Sequence, residues 1–155
     1  MLKEHVEKNV VQIGKRYYRQ STGIPQGSIV SSLLCSFFYA DLEREVLGFI
    51  RNDGTLLLRL IDDFLLITTR HDIAQRFVKV MHAGIPQYGL TVKAEKTMTN
   101  FDAQVNGSSL DKLPQAADFP YCGYAINTVD LNIVKDESRR RHNSKSHRGR
   151  GSVLR

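Results

Sequence analysis

Two cysteines, Cys35 and Cys122, are all that the 155 residues contain. Two cysteines so far apart in sequence fit neither a disulfide framework nor the ligand spacing of a zinc site. Each lies among apolar neighbours and reads as a buried thiol, which suits a reducing compartment, cytosol or nucleus. No apolar run reaches the ~18 residues that a membrane span takes, so no membrane crossing is expected. The opening residues, MLKEHVEKNV, are charged throughout and have no apolar signal-peptide core. Acidic residues are missing from 139–155, where Arg139, Arg140, Arg141, Lys145, Arg148, Arg150 and Arg155 stand together. Setting those seven aside leaves 15 Lys and Arg against 16 Asp and Glu, so the net charge of +6 becomes −1 over residues 1–138. A nucleic-acid role therefore does not follow from the overall basicity. The 41% apolar and 25% charged fractions describe an ordinary globular chain.

The stretch that organises the chain is LLLRLIDDFLLITT, residues 56–69. Apolar runs rich in Leu and Ile flank Asp62 and Asp63 and predict two buried strands joined at the acidic pair. An ionised carboxylate in such a setting costs several kcal/mol unless a positive group sits against it. Arg59 is the nearby cation, but three residues before Asp62 on a strand it belongs to the opposite face. Two readings stay open: a solvated hairpin turn, which Asp favours, or a grip on a divalent cation through oxygen ligands. The apolar flanks bring the two readings level, and what lies upstream favours the second.

Upstream, residues 2–10 read as the end of a polar helix. Residues 10–13 and 16–20 read as a hairpin turning at Gly14 and Lys15, with too little apolar surface to start a domain alone. GIPQGS, residues 23–28, combines the backbone freedom of Gly23 and Gly27 with the fixed dihedral of Pro25. Ser28 is placed to cap an apolar helix over 29–47. A glycine-bearing loop at a helix start suits phosphates, although by itself it also reads as a plain helix start. Downstream, Ile73, Phe77, Val80 and Met81 predict an amphipathic helix over 72–82, with His82 exposed at its end. Residues 90–101 predict a strand, a turn flanked by Lys93 and Lys96, and a strand; both lysines read as solvated by default. Residues 102–118 read as a surface loop, and 121–128 with 131–134 as a final hairpin. The order predicts an α+β fold, an antiparallel sheet with helices on one face.

Taken together, these pieces resemble the palm of reverse transcriptases. GIPQGS and the helix after it resemble motif B, the acidic pair inside apolar strands motif C, and AEKTMTNF motif D. The longer strings are similar to the telomerase reverse transcriptase family: GIPQGSIVSSLLCSFFYADLE to its motif B-prime, RLIDDFLLIT to its motif C, EKTMTNF to its motif D, and YCGYAINT to its motif E, the primer grip. The resemblance covers about residues 17–134.

The resemblance implies an incomplete palm over residues 1–136 and a disordered basic tail over 137–155. It implies RNA-directed DNA polymerase activity using two Mg2+ ions. Asp62 is implied as a direct magnesium ligand, with Asp63 in a supporting position beside it. Gln26, Gly27 and Ser28 match the positions that shape the pocket for incoming nucleotide and template. Lys96 matches the lysine that acts as general acid toward the leaving pyrophosphate. Tyr121, Cys122 and Gly123 match the loop that holds the primer end. The implied partners are telomerase RNA, a telomeric DNA primer, deoxynucleoside triphosphates and the remaining domains of a full-length protein, in the nucleus at chromosome ends. A retroelement reverse transcriptase and a non-catalytic nucleic-acid-binding isoform are the alternatives. The family's motif A, which supplies another metal-binding aspartate, has no counterpart ahead of motif B-prime. We therefore expect a fragment, splice form or incomplete gene product that is inactive alone.

The tail, RRRHNSKSHRGRGSVLR, reads as disordered, as a nucleic-acid-binding arm or nuclear address, or as an out-of-frame ending. If it binds nucleic acid, deleting residues 139–155 flattens the dependence of log K on log salt by about 0.7 to 0.9 for each phosphate the arm had neutralised. Titration of labelled single-stranded DNA at several salt concentrations measures this. An unchanged slope rules out the binding-arm reading.

Overall fold

The computed structural model describes residues 2–21, 23–25, 27–51 and 53–137. Gln26 and the basic tail beyond residue 137 lie outside the described residues. The chain divides into two compact units, Met1–Gly48 and Phe49–Arg155.

The first unit begins with helix α1 (Leu2–Glu7) and the hairpin β1 (Val10–Ile13) and β2 (Arg16–Arg19). Ile13 pairs with Arg16, which leaves Gly14 and Lys15 as the turn, and Gly14 adopts φ 64° there. Every residue of both strands is exposed, Val10, Ile13 and Tyr17 among them. The base of the hairpin is closed by Asn9 Nδ2 donating to Gln20 Oε1 at 2.7 Å. Helix α2 (Ile29–Glu45) follows the GIPQGS loop and ends two residues before the expected boundary. Ser28 has the extended backbone of an N-cap, but its hydroxyl makes no capping bond, contrary to expectation. Its carbonyl instead accepts the Ser32 N–H at 3.3 Å. Leu42 is fully buried, while Ile29, Leu33 and Phe37, spaced by four, are exposed.

The second unit holds the acidic hairpin, β3 (Thr55–Leu60) and β4 (Asp63–Thr68), paired antiparallel from Thr55↔Thr68 to Leu60↔Asp63. Both strands were expected to be buried; the structure corrects this. Leu65 is buried in β4, but Leu56, Leu58 and Leu60 of β3 are exposed. Strand β3 pairs only with β4 among the described residues, and the face carrying Leu56, Leu58 and Leu60 is open. The open end is closed by Thr55 Oγ1 and Thr68 Oγ1 at 2.8 Å and by Thr69 N–H donating to the Gly54 carbonyl at 3.1 Å. Gly54 adopts φ 74°, which favours glycine, and a Cβ there would displace the Thr69 hydroxyl, 2.8 Å away.

Helix α3 (His71–Ala83) buries Ile73, Val78 and Met81, with Phe77 and Val80 half-buried. His82 is not exposed as expected: it is half-buried, with Nε2 3.0 Å from Thr97 Oγ1. That hydroxyl donates to the Lys93 carbonyl at 3.3 Å, so a neutral His82 carrying its proton on Nε2 completes the chain.

The segment expected as strand, turn and strand is mostly irregular. Ile85 and Leu90 form an isolated bridge, Ala94–Lys96 a single 3-10 turn, and β5 (Met98–Thr99) a two-residue strand. The expected loop over 102–118 contains β6 (Gln104–Val105), β7 (Ser108–Ser109) and β8 (Asp111–Lys112). Leu110 and Leu113 anchor it by burial, and β8 runs parallel to β5. The last hairpin is a three-stranded meander: β9 (Asp118–Tyr121), β10 (Tyr124–Asn127) and β11 (Ile133–Lys135). The α+β class holds, with the strands of the described residues distributed among five separate open sheets.

Two outcomes follow from this packing. Replacing Leu65 by Ala lowers the urea-unfolding stability by about 2–3 kcal/mol, because a buried leucine leaves a cavity. Leu58→Ala, on the exposed strand, costs less than about 1 kcal/mol. Equal losses contradict the one-sided cover of the hairpin. Burial also holds the His82 pKa below its ordinary value of 6.5. The unfolded chain then takes the proton more readily, so the contribution of His82 is present above about pH 6.5 and is lost as the pH falls below it. Unfolding curves from pH 8 to 5 should show a steeper acid loss for the native chain than for His82→Gln. Parallel profiles contradict it.

Candidate functional site

The register Leu60↔Asp63 leaves Ile61 and Asp62 as a two-residue connection. Connections this short need a positive φ to follow the strand twist, and Ile61 supplies it at 57°. A β-branched residue is strained there. Arg59 Nη1 donates to the Ile61 carbonyl at 3.0 Å and steadies it. Asp62 stands at the tip and Asp63 on the first rung of β4, both exposed.

The other element here is the turn between β9 and β10. Tyr121 pairs with Tyr124 across Cys122 and Gly123, whose φ values of 49° and 83° suit a tight primed turn. This turn meets the acidic hairpin. The Tyr121 hydroxyl donates to the Asp63 carbonyl at 3.0 Å, and Cys122 Sγ lies 3.7 Å from Asp63 Oδ2, donating its S–H. Both residues are half-buried. For Cys122 this corrects the expected buried thiol; Cys35 is half-buried too.

Burial and then the negative charge of Asp63 push the Cys122 thiol up, partly offset by its bond with Tyr121. Burial and the neighbouring Cys122 push the Tyr121 hydroxyl up. Both groups are therefore protonated at neutral pH and both act as donors to Asp63. Asp62, by contrast, accepts no hydrogen bond and forms no ion pair among the described residues. Two adjacent exposed carboxylates, one of them uncommitted, are hard oxygen donors of the kind magnesium takes. They fit the ion as part of a shell: among the described residues no group of three His, Cys, Asp or Glu could hold a metal.

Of the residues nominated from the sequence, the structure brings Asp62, Asp63, Tyr121, Cys122 and Gly123 to one place. Lys96 is exposed at the end of the 3-10 turn Ala94–Lys96, with no bond to the acidic pair. Gly27 adopts φ 84° in the loop ahead of α2, and Ser28 is half-buried at the helix start. Those two belong to the first unit and the acidic pair to the second. Sequence reasoning set Arg59 aside as a cation on the opposite face and missed its bond to the Ile61 carbonyl. Spacing from Asp62 speaks only to the carboxylates, and a backbone carbonyl between them leaves no trace in the sequence.

Residues 2–126 match the family model described as reverse transcriptase (RNA-dependent DNA polymerase). The chain is 45% identical over 133 residues to the telomerase reverse transcriptase of Takifugu rubripes, an alignment covering 84% of this chain and 12% of that protein. It is 42% identical over 136 residues to the telomerase reverse transcriptase of Bos taurus, covering 86% and 12%. The chain thus spans 12% of the length of these curated relatives. A solved structure of apo telomerase from Candida tropicalis matches with a TM-score of 0.60 and 26% identity, over 79% of this chain and 18% of that one. A family model covering residues 2–126, relatives above 40% identity and a shared fold lead to one assignment: the chain belongs to the reverse transcriptase family, in its telomerase branch.

Proposed function

We propose that this chain supplies part of the palm of an RNA-directed DNA polymerase, over residues 1–136, which extends telomeric DNA 3′ ends on a telomerase RNA template. The observation that carries the reading is the exposed acidic tip, with Asp62 uncommitted and Asp63 held against the turn at Tyr121, Cys122 and Gly123. Nucleotide addition is an in-line displacement at phosphorus, in which charge builds on the attacking and leaving oxygens. Magnesium ions, when bound, stabilise that charge.

Within this reading Asp62 is the direct ligand and Asp63 its support. Gln26, Gly27 and Ser28 shape the nucleotide and template pocket. Lys96 donates a proton toward, or neutralises, the leaving pyrophosphate. Tyr121, Cys122 and Gly123 hold the primer 3′ end. The partners are telomerase RNA, telomeric primer, deoxynucleoside triphosphates and the remaining domains of the protein, at chromosome ends in the nucleus. The acidic hairpin alone offers two carboxylates, so the reading assigns activity to the assembled protein and none to this chain in isolation.

The test is primer extension with the remaining domains and telomerase RNA supplied. Asp62→Ala should lower kcat by at least about a hundredfold, since removing a metal ligand removes stabilisation made in the transition state. Retained activity would sink the role of Asp62 and with it the polymerase reading.

A further inference from the structure

We infer that Tyr121 is a positioning residue for the acidic tip: its hydroxyl, bonded to the Asp63 carbonyl, fixes where the Asp62 and Asp63 carboxylates stand. The inference rests on the proposed polymerase reading and deepens it, because it gives the primer-holding turn a second task that involves no contact with primer.

The tip needs such a brace. Its connection is only Ile61 and Asp62, and Ile61 sits in the left-handed region that β-branched residues disfavour. A short turn carrying that strain relaxes to other conformations unless its neighbours hold it. Two bonds do so, one on each side of Asp62. Arg59 holds the Ile61 carbonyl at 3.0 Å from within the hairpin. Tyr121 holds the Asp63 carbonyl, also at 3.0 Å, from 58 residues away in sequence. Cys122 adds a weaker interaction with the Asp63 carboxylate at 3.7 Å. The carboxylate between the braced carbonyls, Asp62, is the one left free. Because the Tyr121 bond ends on a backbone carbonyl, it orients the tip without consuming a carboxylate oxygen.

The Cys122–Gly123 turn is itself stiff. Its positive φ values match the twist of β9 and β10, and the Tyr121↔Tyr124 pairing closes it. The hydroxyl therefore projects from a fixed platform. A displacement of about 1 Å at a reacting centre can cost a hundredfold in rate, so a bond that narrows the tip to one conformation has a kinetic consequence.

The experiment compares Tyr121→Phe, which keeps the ring and removes the hydroxyl, with the native protein. Both are assembled with the remaining domains and telomerase RNA. Tyr17→Phe, which removes an exposed hydroxyl on β2, serves as control. For Tyr121→Phe we expect kcat to fall roughly five- to tenfold, with the primer KM within about twofold of native. We expect the half-saturating Mg2+ concentration to rise. Amide hydrogen exchange at Asp62, Asp63 and Phe64 should quicken, while that at Ile67 and Thr68 stays as in the native protein. Unchanged kcat with unchanged exchange overturns the inference. So does a raised primer KM with kcat intact, which assigns the hydroxyl to the primer. Asp62→Ala, run alongside, separates the two levels. If it stays active, the polymerase reading is what has failed; if it is dead while Tyr121→Phe is native-like, only the brace is lost.

Discussion

The pairing of Leu60 with Asp63 is the constraint on which the site depends. Side chains alternate along a strand, so a slip of one residue would turn every one of them to the other face and move the acids off the tip. What holds the register lies at the opposite end of the hairpin. The Thr55 and Thr68 hydroxyls meet at 2.8 Å, the Thr69 N–H closes on the Gly54 carbonyl, and Gly54 holds the φ of 74° that favours glycine there. Leu65 adds burial on the inner strand. The register is held without the Asp62 carboxylate, which accepts no hydrogen bond among the described residues, while the Asp63 carboxylate accepts only from Cys122.

Placing two acids at the end of an apolar hairpin sets two costs against each other. Burying an ionised carboxylate without a partner costs several kcal/mol. Keeping the pair exposed on a two-residue tip avoids that cost but requires a positive φ, which for Ile61 costs about 1–2 kcal/mol. The strained turn is the cheaper solution. Bonds from Arg59 and Tyr121, each worth about 1 kcal/mol net, offset most of it. Arg59 thereby stabilises the tip through a bond to the Ile61 backbone carbonyl.

What could be read from the sequence is what is local. The acidic hairpin, α3 and the loop ahead of α2 each declare themselves through apolar patterning or turn residues within a few positions, whereas the turn at Cys122 and Gly123 does not: residues 121–128 read as one strand. Cover is not local. Leu56, Leu58 and Leu60 read as buried because a run of leucines does not reveal whether another element lies over it. Residues 102–118 read as a loop because their strands are two residues long, and only Leu110 and Leu113 hint at an anchored segment. Ser28 has the chemistry of a cap without making the bond, because its main-chain conformation alone starts the helix. The bonds from Tyr121 and Cys122 to Asp63 span 58 and 59 residues, a separation at which no periodicity carries a signal. His82 failed for the same reason, its partner Thr97 being 15 residues away.

The nominated groups divide by how firmly the fold holds them, and the division matches their proposed tasks. A metal ligand works only within a narrow geometry, and a primer-holding turn must present a nucleophile to that metal. Asp62, Asp63 and the Tyr121–Cys122 corner accordingly sit on two tight turns bonded to one another. Lys96 sits on a single 3-10 turn with an exposed side chain. A lysine carries its charge on a flexible four-carbon stem with three rotatable donors, and can follow a leaving phosphate without being pre-set. Rigid placement is concentrated where the chemistry penalises error by the ångström, and reach is left where a proton or a charge only has to arrive.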